Sequence, residues 1–543
     1  SLLILGLGIV IHRYKNGQTP TISILSKSII ALVKPPSLTG LVMVVIAITW
    51  LIVFMITRWV TPNGLTAEGL IMVKEIFLPW PQFFQPEPRE RTAYLLTITL
   101  FPAIAILVTV LLSRANHLGK INLSSVTKIN RGIVIGNWLL ILLISTVVFA
   151  ASEAPFGKSF GFSSYTPVIA FKSNQNPIIF LIIFVAAYFL FLREIFTQTA
   201  IKKKKKKKWL TLISDITAIG LIAVISARIS FIPESTGALE WTPDLVHMAP
   251  LFETAAIAYL TSATAGADMI SQYGGLVEFA RPILWLLDGD PLALMWFTYI
   301  AMAGAVLAQW LALRRVTGSA IAALLGIGAI FFLTGVKFMP FACFQCVHFR
   351  WFWPSIFLCL AAFYSTSTQK SPYLPYFLFP IAIYWNPETG LASAAAWIGW
   401  RLIANVVPVM THSAETAKIR SVMVSAICPA FGVGAGIFLV ALYVATKSGQ
   451  LLDIGLMSRF AKDFYLYGFY MLPMPSLHLW TIYAVIAGTL LVIGIQNYAR
   501  TPRSGLNDGK NGFLVFAVLL FSLLFAYYQG RSFYGNLLAI SYP

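Results

Sequence analysis

Apolar runs of about 17–25 residues recur along nearly the whole chain, separated by short polar stretches. A helix of that length crosses the hydrocarbon core of a bilayer. About 14 such segments can be read: 1–11, 38–57, 93–113, 132–150, 177–193, 209–226, 292–312, 319–338, 351–366, 372–384, 389–409, 419–446, 476–497 and 512–527. A membrane barrel would instead show short strands of alternating polarity. The pattern predicts an all-α fold, a polytopic transmembrane helical bundle of about 12–14 spans, with further helices in loops on one face. The first segment is short and is expected to begin mid-helix. Segments 351–366 and 372–384 are also short, and are expected to be tilted, re-entrant or paired in thinned bilayer.

Composition supports this class. Of 543 residues, 58% are hydrophobic and only 11% charged, where soluble domains carry about a quarter. Four cysteines (Cys343, Cys346, Cys359 and Cys428) are too few for a disulfide framework. No cleavable signal peptide is visible.

The net charge of +19 matters less than its distribution. One alternating set of loops begins at His12 and includes 114–131, the Lys202–Lys208 run, Arg314–Arg315, 410–420 and 498–511. This set carries about 24 of the 39 Lys and Arg, but of the acids only Glu194, Glu415 and Asp508. The positive-inside rule makes this set cytoplasmic. The seven-lysine run then reads as an orientation signal and a contact for anionic membrane lipid, not as a nucleic-acid site. The expected location is the cell membrane (inner or plasma), multi-pass. The outer face receives 58–92, 151–176, 227–291, 339–350, 385–388, 447–475 and 528–543.

No internal repeat is apparent. The lysine run separates an N-terminal transmembrane module, 1–200, of unknown role from a C-terminal module, 209–543. The longest outer loop, 227–291, holds about eight of the 20 acids. Within it Leu251–Leu260 reads as an interfacial helix, and Phe279–Leu287 as the end of a second.

Five outer-face clusters carry candidate chemistry. Asp268 is followed by Gln272-Tyr273-Gly274-Gly275. A carboxylate held at the lipid–water boundary can take a proton from an attacking hydroxyl; the structural alternative is a cap or turn. In Trp385-Asn386-Pro387-Glu388-Thr389-Gly390, Glu388 can meet a sugar hydroxyl or a metal, but the residues also spell a helix start. In Tyr527-Tyr528-Gln529-Gly530-Arg531, Arg531 can hold a phosphate bidentately or anchor an aromatic belt. Cys343 and Cys346 precede His348 and Arg350; with no second pair, zinc is not expected, and Arg350 or His348 reads as a phosphate contact or an interface anchor. Asp288-Gly289-Asp290 is a weak metal signal of a kind common in turns. The Walker, dinucleotide-binding and HExxH motifs are absent.

Together these pieces resemble the C-type (GT-C) superfamily of polytopic membrane glycosyltransferases. The likeness covers roughly 209–543 and rests on the order of short motifs: Asp268 with Gln272, Tyr273 and Gly274; Arg350 opening a helix; Asn386, Glu388 and Gly390; and Tyr528, Gly530, Arg531 and Ser532. The resemblance implies transfer of a sugar from a polyprenyl-phosphate carrier to an acceptor on the outer (periplasmic or extracytoplasmic) face. The acceptor class, whether glycan, lipid or protein, stays open. Asp268 is then the expected base, with Gln272, Tyr273, Arg350, Glu388 and Arg531 binding donor and substrate. No cofactor is assigned, although a divalent cation (magnesium or manganese) is compatible, and no residue is assigned to metal. Further helices, missing after Pro543 or supplied by another membrane subunit, are expected.

Two other classes fit the helix count. One is a lipid-linked sugar flippase or transporter, whose ionisable groups gather near the midplane; here only Asp215 and Arg401 lie well inside predicted spans. The other is an envelope polysaccharide polymerase or ligase, for which Arg459, Lys462 and His478 are candidates.

Overall fold

A computed structural model describes residues 38–59, 88–117, 208–230, 254–269, 273–290, 292–333, 340–366, 374–411, 419–465, 479–500 and 509–530. Among them the fold is all-α: α1 (Leu38–Thr57), α2 (Pro88–His117), α3 (Lys208–Ser230), α4 (Leu276–Leu286), α5 (Leu292–Thr317), α6 (Ala320–Leu333), α7 (Pro340–Thr366), α8 (Leu374–Trp385), α9 (Pro387–Thr411), α10 (Ile419–Ser448), α11 (Ile454–Tyr465), α12 (Leu479–Arg500), α13 (Gly509–Leu524) and α14 (Ala526–Gly530). Among the described residues, five helical stretches are long and apolar enough to cross a membrane: Pro88–Arg114, Ala293–Thr317, Pro387–Thr411, Ala430–Ser448 and Lys510–Gly530. The protein is therefore a membrane protein by the length and composition of its helices. The segments read at 1–11, 132–150 and 177–193 lie outside the described residues.

The packing follows membrane rules. Helices in lipid gain little from hiding apolar surface, so they associate through close contact of small residues. On α5, Ala301, Ala305, Ala308 and Ala312 are all buried, while Trp296, Ile300 and Leu307 are exposed. The largest helix–helix contact in the fold is between α5 and α7. Across it Gln309 Nε2 donates to Ser355 Oγ at 2.8 Å, in the buried core. An aromatic cluster of Trp397, Trp400 and Phe516 locks α9 to α13. There the indole of Trp400 donates to Tyr498 Oη of α12 at 2.9 Å.

Two segments differ from the hydropathy pattern. The short run at 351–366 is the later part of a 27-residue helix, because α7 starts back at Pro340. Arg350 thus sits three turns inside a helix, where a loop end was expected. The run at 372–384 stays short: α8 has 12 residues, or about 18 Å, well under a bilayer core. It is wedged between α9 and α10. Gly390 of α9 lies against the backbone of Ala382 and Ile383, and Gly436 of α10 against Phe377 O and Pro380. A side chain at either glycine would separate these backbones.

Contacts sort the helix ends into two groups. At one end Asp215 pairs with Arg314 at 3.2 Å, Arg114 Nε donates to Met410 O at 3.1 Å, and Arg315 lies over the Phe363 ring. Asp215, read from sequence as inside a span, therefore sits near the basic helix ends with a partner. At the other end lie α4, Asn386, Arg350 and α14. Helices α1 and α2, from the N-terminal module, pack on α12, and α2 also packs on α9 and α14.

Candidate functional site

The site is built on residues 261–269 and 273–275, between the helical segment 254–260 and α4. Gly266 has φ +80°, Gly274 φ +70°, and the loop folds back so that Ala265 bridges to Met269. Gly274 packs on Pro387 and the carbonyls of Tyr384 and Trp385, while Gly275 lies against the Tyr384 ring and donates its N–H to Tyr384 O. These glycines let the loop rest directly on the α8–α9 junction. Two motifs more than 100 residues apart in the chain thus form one piece of structure.

At that junction Asn386 Oδ1 accepts from Thr389 N at 3.0 Å and Thr389 Oγ1 at 3.1 Å. It caps α9, with Pro387 first in the helix and Glu388 in its first turn. The helix-start reading of this motif holds, and it leaves Glu388 free to point elsewhere. Glu388 Oε2 lies 3.6 Å from Arg350 Nε. The Arg350 guanidinium also stacks over the Tyr527 ring at 3.9 Å. Arg350 is buried, its side chain 7% exposed, while that of Glu388 is 36% exposed. Trp385 binds the surrounding helices together, touching Phe279 of α4, Phe297 of α5 and Phe352 of α7.

Asp268 is exposed on this loop. Its Oδ2 accepts from Thr264 N at 3.3 Å and its Oδ1 from Gln450 Nε2 at 2.9 Å. Tyr273 is different: at 4% exposure its ring packs into the helical core. Gln272 and Arg531 lie outside the described residues, as do the side chains of His348, Lys462 and His478. Arg459 is exposed on α11. Asp288-Gly289-Asp290 forms the turn between α4 and α5, with Gly289 at φ +77° and Asp288 at φ +52°.

Sequence reasoning did not single out the most heavily bonded group here, Glu278. Its side chain is 2% exposed. Its carboxylate accepts from Ala265 N (3.1 Å), Arg281 Nε (3.1 Å) and Nη2 (3.0 Å), Tyr443 Oη (2.7 Å) and Lys447 Nζ (2.8 Å). Burial opposes its charge. The hydrogen bonds from Arg281, Lys447, Tyr443 and the Ala265 N–H outweigh that and hold the carboxyl below its ordinary value. Arg281 spends its other donors on the carbonyls of Ala263, at 2.6 Å, and Ala258. The available signal was an acid and a base three residues apart on an otherwise apolar helix, Leu276–Leu286. Their partners Tyr443 and Lys447 lie on α10, beyond the reach of any local pattern.

The two carboxylates therefore have different chemistry. Glu278 is saturated by donors and serves the scaffold. Asp268 is open to solvent and can accept a proton. Arg350 supplies a positive charge held between a carboxylate and a ring. Asp268 is engaged by an amide, Glu278 by two cations and Glu388 by a third. Among the described residues no three His, Cys, Asp or Glu side chains converge. Exposed apolar residues Leu260, Trp285, Leu286, Leu451 and Ile454 lie on the segments around the site. No protein-family model, curated protein or solved structure matches the chain.

Proposed function

We propose that the chain is a membrane glycosyltransferase acting on a polyprenyl-phosphate-linked sugar at the outer face of the cell membrane. What supports this reading is that Gly274 and Gly275, just past Asp268 in the chain, rest on the α8–α9 junction, where Glu388 pairs with an Arg350 stacked on Tyr527, while Arg114, Arg314 and Arg315 make their contacts at other helix ends. By the positive-inside rule the basic end is cytoplasmic.

In this reading the acceptor hydroxyl gives its proton to Asp268 as its oxygen attacks the anomeric carbon. The bond from that carbon to the phosphate oxygen breaks, and polyprenyl phosphate leaves with the electron pair. Displacement from the opposite side inverts the anomeric centre. Negative charge grows on the departing phosphate. Arg350 is suited to stabilise it, because its guanidinium is already oriented and shielded from bulk water. Arg531, next to α14 in sequence, is the second candidate for the same phosphate. The acceptor is a glycan, lipid or protein hydroxyl.

The test is transfer by purified protein in lipid, with a panel of polyprenyl-phosphate sugars. Wild type should form product, and Asp268→Asn should form none while keeping its helical circular dichroism. Equal turnover in the two proteins sinks the role of Asp268. No turnover with any donor, joined to movement of carrier across liposomes, replaces this reading with a flippase.

A further inference from the structure

Asp268 belongs to a loop, yet both of its oxygens are held. Thr264 N fixes Oδ2 and Gln450 Nε2 fixes Oδ1. Gln450 arrives from the turn that follows α10, a region with no sequence relation to the Asp268 motif. That turn is itself pinned at both ends. On one side Lys447 Nζ donates to Glu278 at 2.8 Å. On the other, Asp453 N donates to Gly266 O at 2.7 Å, within the Asp268 loop.

Between these anchors the chain reverses at Gly449, φ +70°, a backbone conformation that suits glycine just past a helix end. Gly449 N closes the helix on Ala445 O at 2.9 Å, and Gln450 N donates to Ser448 Oγ at 3.1 Å. Leu452 and Met457 then press on Gly266, where there is no space for a Cβ. The Gln450 side chain is thus delivered to Asp268 by a turn that is fixed to the same loop.

We infer that Gln450 is a positioning residue for Asp268, holding the plane of its carboxylate so that a free lone pair faces the acceptor hydroxyl. This rests on the reading of Asp268 as the base. An amide is well suited to hold a base, because it donates one hydrogen bond to the carboxylate and does not compete for the acceptor's proton. Both side chains are exposed, so a hydroxyl can reach the carboxylate without displacing the turn. Small misplacement of a reacting group lowers rates steeply, about a hundredfold per ångström.

The experiment compares wild type, Gln450→Ala and Gln450→Glu in steady-state transfer and in thermal unfolding. Both variants should lower kcat about 10–100-fold, with KM for the lipid donor and Tm unchanged. The isosteric Gln450→Glu matters because it keeps the shape and removes the N–H donor. Full kcat in either variant overturns the inference. So does a loss of kcat matched by a fall in Tm, which marks a merely structural residue. A second readout needs no turnover: carbodiimide labelling of Asp268, read by mass spectrometry with Asp268→Asn as the blank. Labelling should rise several-fold in Gln450→Ala. If wild type transfers no sugar the glycosyltransferase reading fails, and the labelling rate alone decides; an unchanged rate overturns the role of Gln450.

Discussion

Asp268 and Glu278 accept hydrogen bonds from consecutive backbone amides, those of Thr264 and Ala265. Lys447, in the last turn of α10, then meets Glu278, and Gln450, in the turn just after it, meets Asp268. One carboxylate is exposed and the other buried, yet the same two segments hold both. The Tyr384 hydroxyl adds a third tie by donating to Ala265 O at 3.0 Å. The loop bearing the proposed base is fixed by side chains of α4, α8 and the turn after α10 together.

Glu278 should therefore be the most sensitive polar residue near the site. Glu278→Ala leaves two partly buried cations, Arg281 and Lys447, without their carboxylate, which costs about 3–5 kcal/mol. Lys447→Met should cost less, about 1–2 kcal/mol, because Lys447 is partly exposed and Arg281 and Tyr443 remain. The folded Glu278 carboxyl titrates below its unfolded value. Its stabilisation is thus complete above about pH 4.3, the ordinary glutamate value, and is lost as pH falls through the folded value. Thermal unfolding in detergent between about pH 3 and pH 7 should show this acid limb in wild type and a shallower one in Glu278→Gln.

Arg350 combines a buried guanidinium, a ring contact and an ion pair with Glu388. Arg350→Lys keeps the charge but loses the planar fork. Donor kcat/KM should fall at least about tenfold, equal to about 1.4 kcal/mol. Glu388→Gln should lower stability by about 1–2 kcal/mol, since Glu388 is itself one-third exposed. Unchanged kinetics in Arg350→Lys would remove this residue from the phosphate site.

Two glycines make a matched pair for testing the close packing of α8. A Cβ on Gly390 would sit 2.5 Å from the Ala382 carbonyl, where backbone cannot yield. Gly390→Ala should destabilise by about 1–3 kcal/mol. On α3, Gly220 has nothing within 4 Å of a built Cβ. Gly220→Ala should stabilise by about 0.5–1 kcal/mol through helix propensity alone. Thermal unfolding of the two variants against wild type gives the signs directly.

The orientation can be read with introduced cysteines and an impermeant maleimide on intact cells. Leu260→Cys, on the exposed surface near Asp268, should label from outside. Ser319→Cys, in the turn between α5 and α6 near the basic ends, should label only after permeabilisation. The reverse pattern would place the site on the cytoplasmic side.

Much of the architecture was legible locally. The run 389–409 became α9, and 292–312 became α5, because every backbone group in lipid must be satisfied within its own segment. The cap of α9 could be read from Asn386-Pro387-Glu388 alone, since capping acts over three residues. Tyr273 shows the limit. Its neighbours Gly274 and Gly275 can be read locally as turn residues, but the Tyr384 and Pro387 they pack on lie more than 100 residues away.

By itself the sequence determined the class of the protein. Long apolar segments can only be helices where no water competes for the backbone, and the uneven lysines and arginines mark one set of ends. Only the tertiary structure decided what the polar residues do. Glu278 as a scaffold, Asp268 as the open carboxylate, and the service of Lys447 and Gln450 to each depend on α10 ending beside the 264–269 loop. Those contacts join residues more than 150 positions apart, and burial sets their roles. Periodicity records which face of a helix is apolar, but not which distant helix will close over it.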